Sequence, residues 1–450
     1  MNRLKTQESG DRSQESGHRA QAGWHFHLVV VAFALGCTRS CLGAERFPPP
    51  QFETQYVQPV TTAPPARTLA WEIVDVAVLV GTLALAAVLV LRVRSRKAIF
   101  VLMVFSLLYF GFWRKGCVCP VGSIQNVTLA LFGDYAIPIS VLLFFVLPLV
   151  FTLFFGRVFC AAVCPLGAVQ DLVTVWPLAV PAWLESGLRI LAYLYLGLAL
   201  MWAALGSAFI VCRYDPFVSL FRLSGDAHIL VLGATLLVMG LVICRPYCRY
   251  LCPYGVILRQ LSRLSRWRVT ITPDECIKCS LCANACPYGA ISEPTEPWPA
   301  ERYAGDRRRL VTWLVLTPIL MTGAAYLGVR SGPVLARIDP TVRLAQRIWQ
   351  EDQGQVRDTT DASSVFRSTG TPVESLYQEA AARQAWFRMG GGLVGGFLGL
   401  VLGAKGMAAS LRRRRSEWQA DPAACVACGR CYAYCPRENV RRNKTQGALR

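Results

Sequence analysis

Apolar residues in this chain come in long blocks separated by short basic or cysteine-rich stretches. About 20 apolar residues in helical conformation cross a bilayer. Seven blocks are candidate spans, at 70–91, 98–113, 137–155, 189–211, 228–244, 310–329 and 389–408. Basic groups flank them. Arg92, Arg94, Arg96 and Lys97 follow the first, and Arg259, Arg263, Arg266 and Arg268 follow the fifth. Arg307 to Arg309 precede the sixth, and Arg412 to Arg415 follow the seventh. Strict alternation from an outside N-terminus puts all four groups on the inner face, as the positive-inside rule requires. The pattern predicts an all-α polytopic membrane protein in the cytoplasmic (inner) membrane of a bacterium.

Composition agrees: 54% of residues are hydrophobic and 17% charged. The net charge of +19 comes from residues gathered at the ends of apolar blocks. That distribution serves topology and argues against nucleic-acid binding.

Eighteen cysteines admit disulfides, zinc or iron–sulfur clusters, and spacing must decide. Cys276-x2-Cys279-x2-Cys282-x3-Cys286-Pro287 and Cys425-x2-Cys428-x2-Cys431-x3-Cys435-Pro436 are two copies of the bacterial ferredoxin run. Three close thiolates wrap three corners of a cubane, and the fourth ligates the other cluster. By that rule Cys276, Cys279 and Cys282 pair with Cys435, and Cys425, Cys428 and Cys431 pair with Cys286. These eight are the expected metal ligands of two 4Fe–4S clusters, because zinc ordinarily takes paired Cys-x2-Cys knuckles. The runs are separated by two spans and an external segment, so the ferredoxin-like (α+β) head is split and its halves share the cytoplasmic side.

The stretches 98–175 and 189–262 repeat one pattern in the same direction through the membrane: a span ending in Cys, a Pro, another span, then Cys-x3-Cys-Pro-x-Gly. The first copy holds Cys117, Cys119, Cys160 and Cys164, and the second holds Cys212, Cys244, Cys248 and Cys252. Cys-x3-Cys puts two thiols on one helical face. Arg157, Arg213, Arg245 and Arg249 offer positive charge to an anionic cluster. Two packing cysteines are the bland reading of such a motif. Eight cysteines suffice for two further 4Fe–4S clusters. If the second and fourth spans cross completely, however, Cys117, Cys119 and Cys212 lie about 30 Å from the Cys-x3-Cys pairs. Pro120 and Pro216 suggest short or re-entrant helices that would bring them nearer. The alternative is one cluster held between the copies by Cys160, Cys164, Cys248 and Cys252.

The expected layout follows. Residues 1–44 form a signal peptide or weak anchor, 45–68 a Pro-rich external linker and 69–97 the first span. The repeat copies occupy 98–188 and 189–268, with ferredoxin halves at 269–300 and 412–450. Spans at 301–330 and 387–411 flank an external loop, 331–386, in which Val342 to Trp349 could form an amphipathic helix. Cys37 and Cys41 lack a cluster context, and His18, His25, His27 and His228 lack ligand spacing. The run from Gly390 to Gly403 reads as close helix packing.

Several of these residues resemble the membrane polyferredoxins related to the NapH quinol-dehydrogenase subunit and the membrane part of the NosR maturation protein. The resemblance rests on Gly156-Arg157-Val158-Phe159-Cys160 through Gly167, on Cys212 to Phe217, on Arg245 to Gly255 and on the run at 276–287. It implies transfer of single electrons between a quinol pool or cytoplasmic donor and a redox partner protein, as part of an oxidoreductase complex. Two departures stand out. The segment before the first span is too short for an exported flavin domain, so no covalent flavin is expected, and the second ferredoxin run lies beyond an added pair of spans. The rival reading is a maturation or assembly factor supplying electrons for metal-cofactor insertion; a redox sensor is a third.

Overall fold

The computed structural model describes residues 68–447 apart from 117–118, 134, 179, 272–275, 296–299, 412–414 and 416. The expectations for 1–44, for Cys37 and Cys41, and for Cys117 fall outside the described residues. Five described helices are long and apolar enough to cross a membrane: Leu69–Val93, Arg96–Trp113, Trp183–Ala204, Gly305–Ile338 and Val373–Ser410. The first two meet at a sharp corner. Arg94 takes a left-handed conformation with φ 55°, and Ser95 caps the next helix by accepting from the Ala98 N–H at 3.5 Å.

The blocks at 137–155 and 228–244 behave differently. Ile139–Phe155 has 17 residues and stops at Gly156, whose φ of 72° suits a residue without a Cβ. Ala227–Gly240 is preceded by Pro216–Arg222, and the two helices meet at 104°. Leu223, with φ 52°, and Gly225, with φ 147°, make that bend. Another short helix, Pro120–Phe132, starts directly after Cys119. The stretch from Pro120 to Gly240 is thus built partly from broken helices, whose starts bury Pro120 and Pro216.

The helices Ala300–Leu335 and Val373–Ser410 pack against each other along most of their length. Gly391, Gly395, Gly399 and Gly403 are buried along the contact, four residues apart. A Cβ on Gly399 would stand 2.5 Å from the Leu320 carbonyl oxygen and 2.6 Å from the Met321 Cα. Only small residues allow backbones so close. Both helices run further than the apolar blocks indicate, because polar turns extend them into 331–386. Between them Pro340–Asp352 forms an amphipathic helix, capped by Asp339 and burying Val342, Ala345 and Ile348. A short helix, Asp361–Ser368, follows.

The two cysteine runs at the C-terminal side come together through a two-stranded antiparallel ribbon. Ile291–Ser292 (β1) pairs with Gln419–Ala420 (β2), with Ile291 opposite Ala420 and Ser292 opposite Gln419.

Candidate iron–sulfur sites

The two ferredoxin-type runs trace the same local path. Lys278 and Ala427, each two residues after the first cysteine, have φ of 57° and 55°. Ser280 and Gly429, each four residues after it, have φ of 58° and 73°. Successive left-handed turns curl the backbone around a concavity and turn its N–H groups inward.

Cys276, Cys279 and Cys282 line a cavity of about 370 Å³ together with Cys435, Trp418 and Arg437. Cys425, Cys428 and Cys431 line one of about 380 Å³ together with Cys286 and Tyr288. The fourth cysteine of each run therefore sits with the first three of the other. Cys431 also lies within electrostatic reach of Cys282, so the two cavities are neighbours. Among the described residues no three Cys, His, Asp or Glu groups converge as around a single metal ion. The thiols ring cavities instead, the arrangement a cubane needs and a mononuclear site does not.

Burial pushes the Cys425 thiol up to about 12 and also raises Cys282, Cys428 and Cys431. Bare thiols there would stay protonated, whereas a coordinating metal deprotonates them outright. The residues present fit iron–sulfur clusters, which would be held by these eight sulfurs.

A third, larger cavity of about 610 Å³ lies in the repeat region. Cys160, Cys164, Cys248 and Cys252 line it, with Arg157, Arg245, Arg249 and Arg259. The local sequence explains the convergence. A tight π-helical turn, Phe159–Val163, contains Cys160 and ends at its C-cap residue Cys164. Cys164 and Cys252 are the N-cap residues of Pro165–Val173 and Pro253–Ser262. Proline suits the first helical position and holds the preceding residue extended. Polar groups turn towards the sulfurs: Gln170 Nε2 lies 3.2 Å from Cys248 Sγ, the Gly255 N–H 3.3 Å from Cys252 Sγ, and Arg157 Nη2 3.7 Å from Cys160 Sγ. Such donors stabilise anionic clusters and set their potentials.

Cys244 does not join these four. It is fully buried, with its Sγ 3.1 Å from the Tyr288 hydroxyl, in the wall that contains Cys428. Cys119 and Cys212 also lie outside the three cavities.

The segments that carry the two ferredoxin-type runs are fastened to the helices around Cys160 and Cys248 by polar residues, among them arginines that the sequence presents only as topological charges. Arg96 donates to the Cys428 carbonyl at 3.0 Å, and Arg94 donates to the Thr270 carbonyl at 2.8 Å and pairs with Glu438 at 3.1 Å. Arg249 donates to the Pro287 carbonyl at 3.1 Å, and the Ser262 hydroxyl to the Pro422 carbonyl at 2.8 Å. Asp171 is the hub of this interface, with Arg96 at 2.7 Å, Arg430 at 3.2 Å and Arg245 at 3.6 Å. Burial works against its charge, but Arg245, Arg96 and Arg430 together hold its carboxyl well below the usual carboxylate range. No spacing rule singles out Asp171; its role exists only once the three arginines converge.

Comparison with known proteins agrees with this chemistry. A 4Fe-4S binding domain family matches two stretches, residues 137–179 and 226–272, each ending beyond a Cys-x3-Cys-Pro motif. A second 4Fe-4S binding domain family matches residues 269–292, which hold the first ferredoxin run. YccM of Escherichia coli K12, provisionally named an electron transport protein, is 34% identical over 118 residues, covering 24% of this chain and 33% of its own length. An uncharacterized protein of Methanocaldococcus jannaschii is 32% identical over 71 residues, covering 16% of this chain and 29% of its own. The chain thus spans about a third of the length of these relatives. No solved structure matches it. The stretches that match 4Fe-4S binding domains hold Cys160, Cys164, Cys248, Cys252 and the first ferredoxin run, in agreement with the cysteine geometry.

Proposed function

We propose that this protein is a membrane-embedded electron conduit in which three 4Fe–4S clusters stand in a row. The first is held by Cys276, Cys279, Cys282 and Cys435, the second by Cys286, Cys425, Cys428 and Cys431, and the third by Cys160, Cys164, Cys248 and Cys252. The observation that carries the reading is that Cys286 lines the cavity of the second run and Cys435 that of the first, which supports one split ferredoxin-like head from distant halves. Adjacency supports the row. Cys160 packs against the group containing Cys425, Cys428 and Tyr288, so the second and third sites share a wall.

The clusters supply one-electron chemistry when bound; the chain's part is to hold, space and tune them. Arg157, Arg245 and Arg249 would favour the more negative, reduced state of the third cluster and so raise its potential. At the other end Cys279 and Ile277 are exposed, which suits docking of a redox partner protein at the first cluster. The quinol pool is the proposed source or sink within the membrane. The basic groups beside Arg94 and Arg96 support a cytoplasmic location for the head, in an inner membrane.

Stepwise reduction followed by EPR tests the row. Neighbouring reduced clusters should broaden one another's signals, first within the head and then between the second and third clusters. Independent, unbroadened signals throughout would overturn the shared-wall arrangement.

A further inference from the structure

The three cysteine-lined cavities differ in what surrounds their sulfurs. The cavity at Cys276 has one arginine in its wall, Arg437, and the cavity at Cys286 and Cys425 has one, Arg430. The cavity at Cys160 has five: Arg157, Arg189, Arg245, Arg249 and Arg259. No carboxylate lines any of the three. Each is ringed by four cysteines, yet the third measures about 610 Å³ against about 370 and 380 Å³ for the others. The two smaller sites show what a cubane alone requires. By that standard the third has four arginines to spare, and room to go with them.

The surplus charge is not neutralised within the protein. Asp171 pairs with Arg245 at 3.6 Å, and Glu185 serves both Arg249, at 2.7 Å, and Arg189. Arg157 donates to the Ala423 carbonyl at 3.4 Å and reaches Cys160 Sγ, but neither it nor Arg259 pairs with a carboxylate among the described residues. Arg189 and Arg259 hydrogen-bond no cysteine sulfur among the described residues, so a cluster alone does not account for them. The Nε atoms of Arg157, Arg189, Arg245 and Arg259 are buried without a hydrogen-bond partner among the described residues. Buried donors left unpaired are costly, and an anion in the cavity would satisfy them.

The cavity reaches the surface at the pair outside the cysteine ring. Arg157, Arg245 and Arg249 are buried, whereas Arg189 and Arg259 are half-buried. Lys405 adds a further cation there: its Nζ donates to the Ser186 carbonyl at 2.8 Å, one helical turn from Arg189. Lys405 lies in the last turns of Val373–Ser410, just ahead of the basic group Arg412 to Arg415. Trp183, 77% exposed, starts the helix that carries Arg189. Exposed tryptophan beside basic helix ends is the pattern of a membrane interface, where basic pockets between helices hold phospholipid headgroups.

We propose that the outer part of this cavity, bounded by Arg157, Arg189 and Arg259, binds a phosphate oxyanion beside the third cluster, either as inorganic phosphate or as the headgroup of an anionic phospholipid. Planar guanidinium groups match such oxyanions with paired N–H donors. The bound anion favours the less negative, oxidised cluster and lowers its potential, so the site sets the driving force at the membrane end of the row. This inference rests on the three-cluster reading above.

The test uses full chains of wild type, Arg259→Gln and Arg259→Lys, purified anaerobically in a neutral detergent with iron counted. Each is titrated with inorganic phosphate, with phosphatidylglycerol and with zwitterionic phosphatidylcholine, and the midpoint potential of every cluster is read by EPR. Phosphate or phosphatidylglycerol should lower the potential of the third cluster and leave the first unmoved. The concentration needed should rise about tenfold in Arg259→Gln, the effect of losing one charged donor, and recover in part in Arg259→Lys. A response to phosphate identifies a free anion as the ligand, and a response to phosphatidylglycerol alone identifies lipid. No shift in wild type holding about twelve irons would overturn the anion site and leave the three clusters standing. So would an equal shift in every cluster, an equal response to phosphatidylcholine, or a response that Arg259→Gln leaves unchanged. The wild-type titration decides the matter even where a variant fails to hold its clusters. About eight irons in wild type would sink the third cluster and the site beside it together.

Discussion

Arg96 reaches the backbone carbonyl of Cys428 at 3.0 Å, across 332 positions of sequence. The same guanidinium pairs with the buried Asp171 at 2.7 Å, so one side chain ties the second long helix to both the repeat and the head. Arg96→Ala should weaken head docking by about 2 kcal/mol, the scale of a hydrogen bond involving a charged group. Limited proteolysis should then cut the C-terminal run faster than in wild type while cluster absorbance is retained.

Asp171→Ala should be more damaging. It leaves Arg245, 2% exposed, without its buried carboxylate, and removal of one partner from a buried pair costs about 3–5 kcal/mol. The expected result is a large fall in melting temperature in detergent. A melting temperature equal to wild type would deny Asp171 its role as the hub.

The exchange of fourth cysteines makes a prediction that paired variants read directly. Cys286→Ala with Cys425→Ala strikes one cluster, and Cys286→Ala with Cys276→Ala strikes two. The first should lose about four irons and the second about eight. A reversed result would mean that each run ligates its own cluster.

The glycine seam gives a purely steric prediction. Gly399→Val should push the two long helices apart, an overpacking cost of at least about 1–3 kcal/mol. Gly396→Ala should be tolerated, since its added Cβ would lie 3.8 Å from the Ala325 Cβ, ordinary contact. Thermal melting of the two variants side by side checks the difference.

The sequence makes the cysteine spacing legible because thiolate geometry around a cubane is local and stereotyped. It also makes the first two spans legible, since their apolar blocks end at basic corners. In the sequence Arg94 and Arg96 stand only as topological charges, and their second use depends on Cys428 and Glu438, residues far along the chain. The break at Leu223 to Gly225 was equally hidden, because hydropathy averages over a bend. The long helices overrun their apolar blocks because hydropathy marks where lipid contact ends and gives no sign of where helical hydrogen bonding stops.

The central claim is that the four cysteines between the repeat copies hold a cluster wired to the head. Iron and acid-labile sulfide per chain should be counted anaerobically for wild type and for Cys160→Ala with Cys248→Ala. The account predicts at least about twelve irons in wild type and about four fewer in the variant, with the head signals intact but no longer broadened by a membrane neighbour. About eight irons in both proteins would contradict it and leave a membrane-tethered ferredoxin.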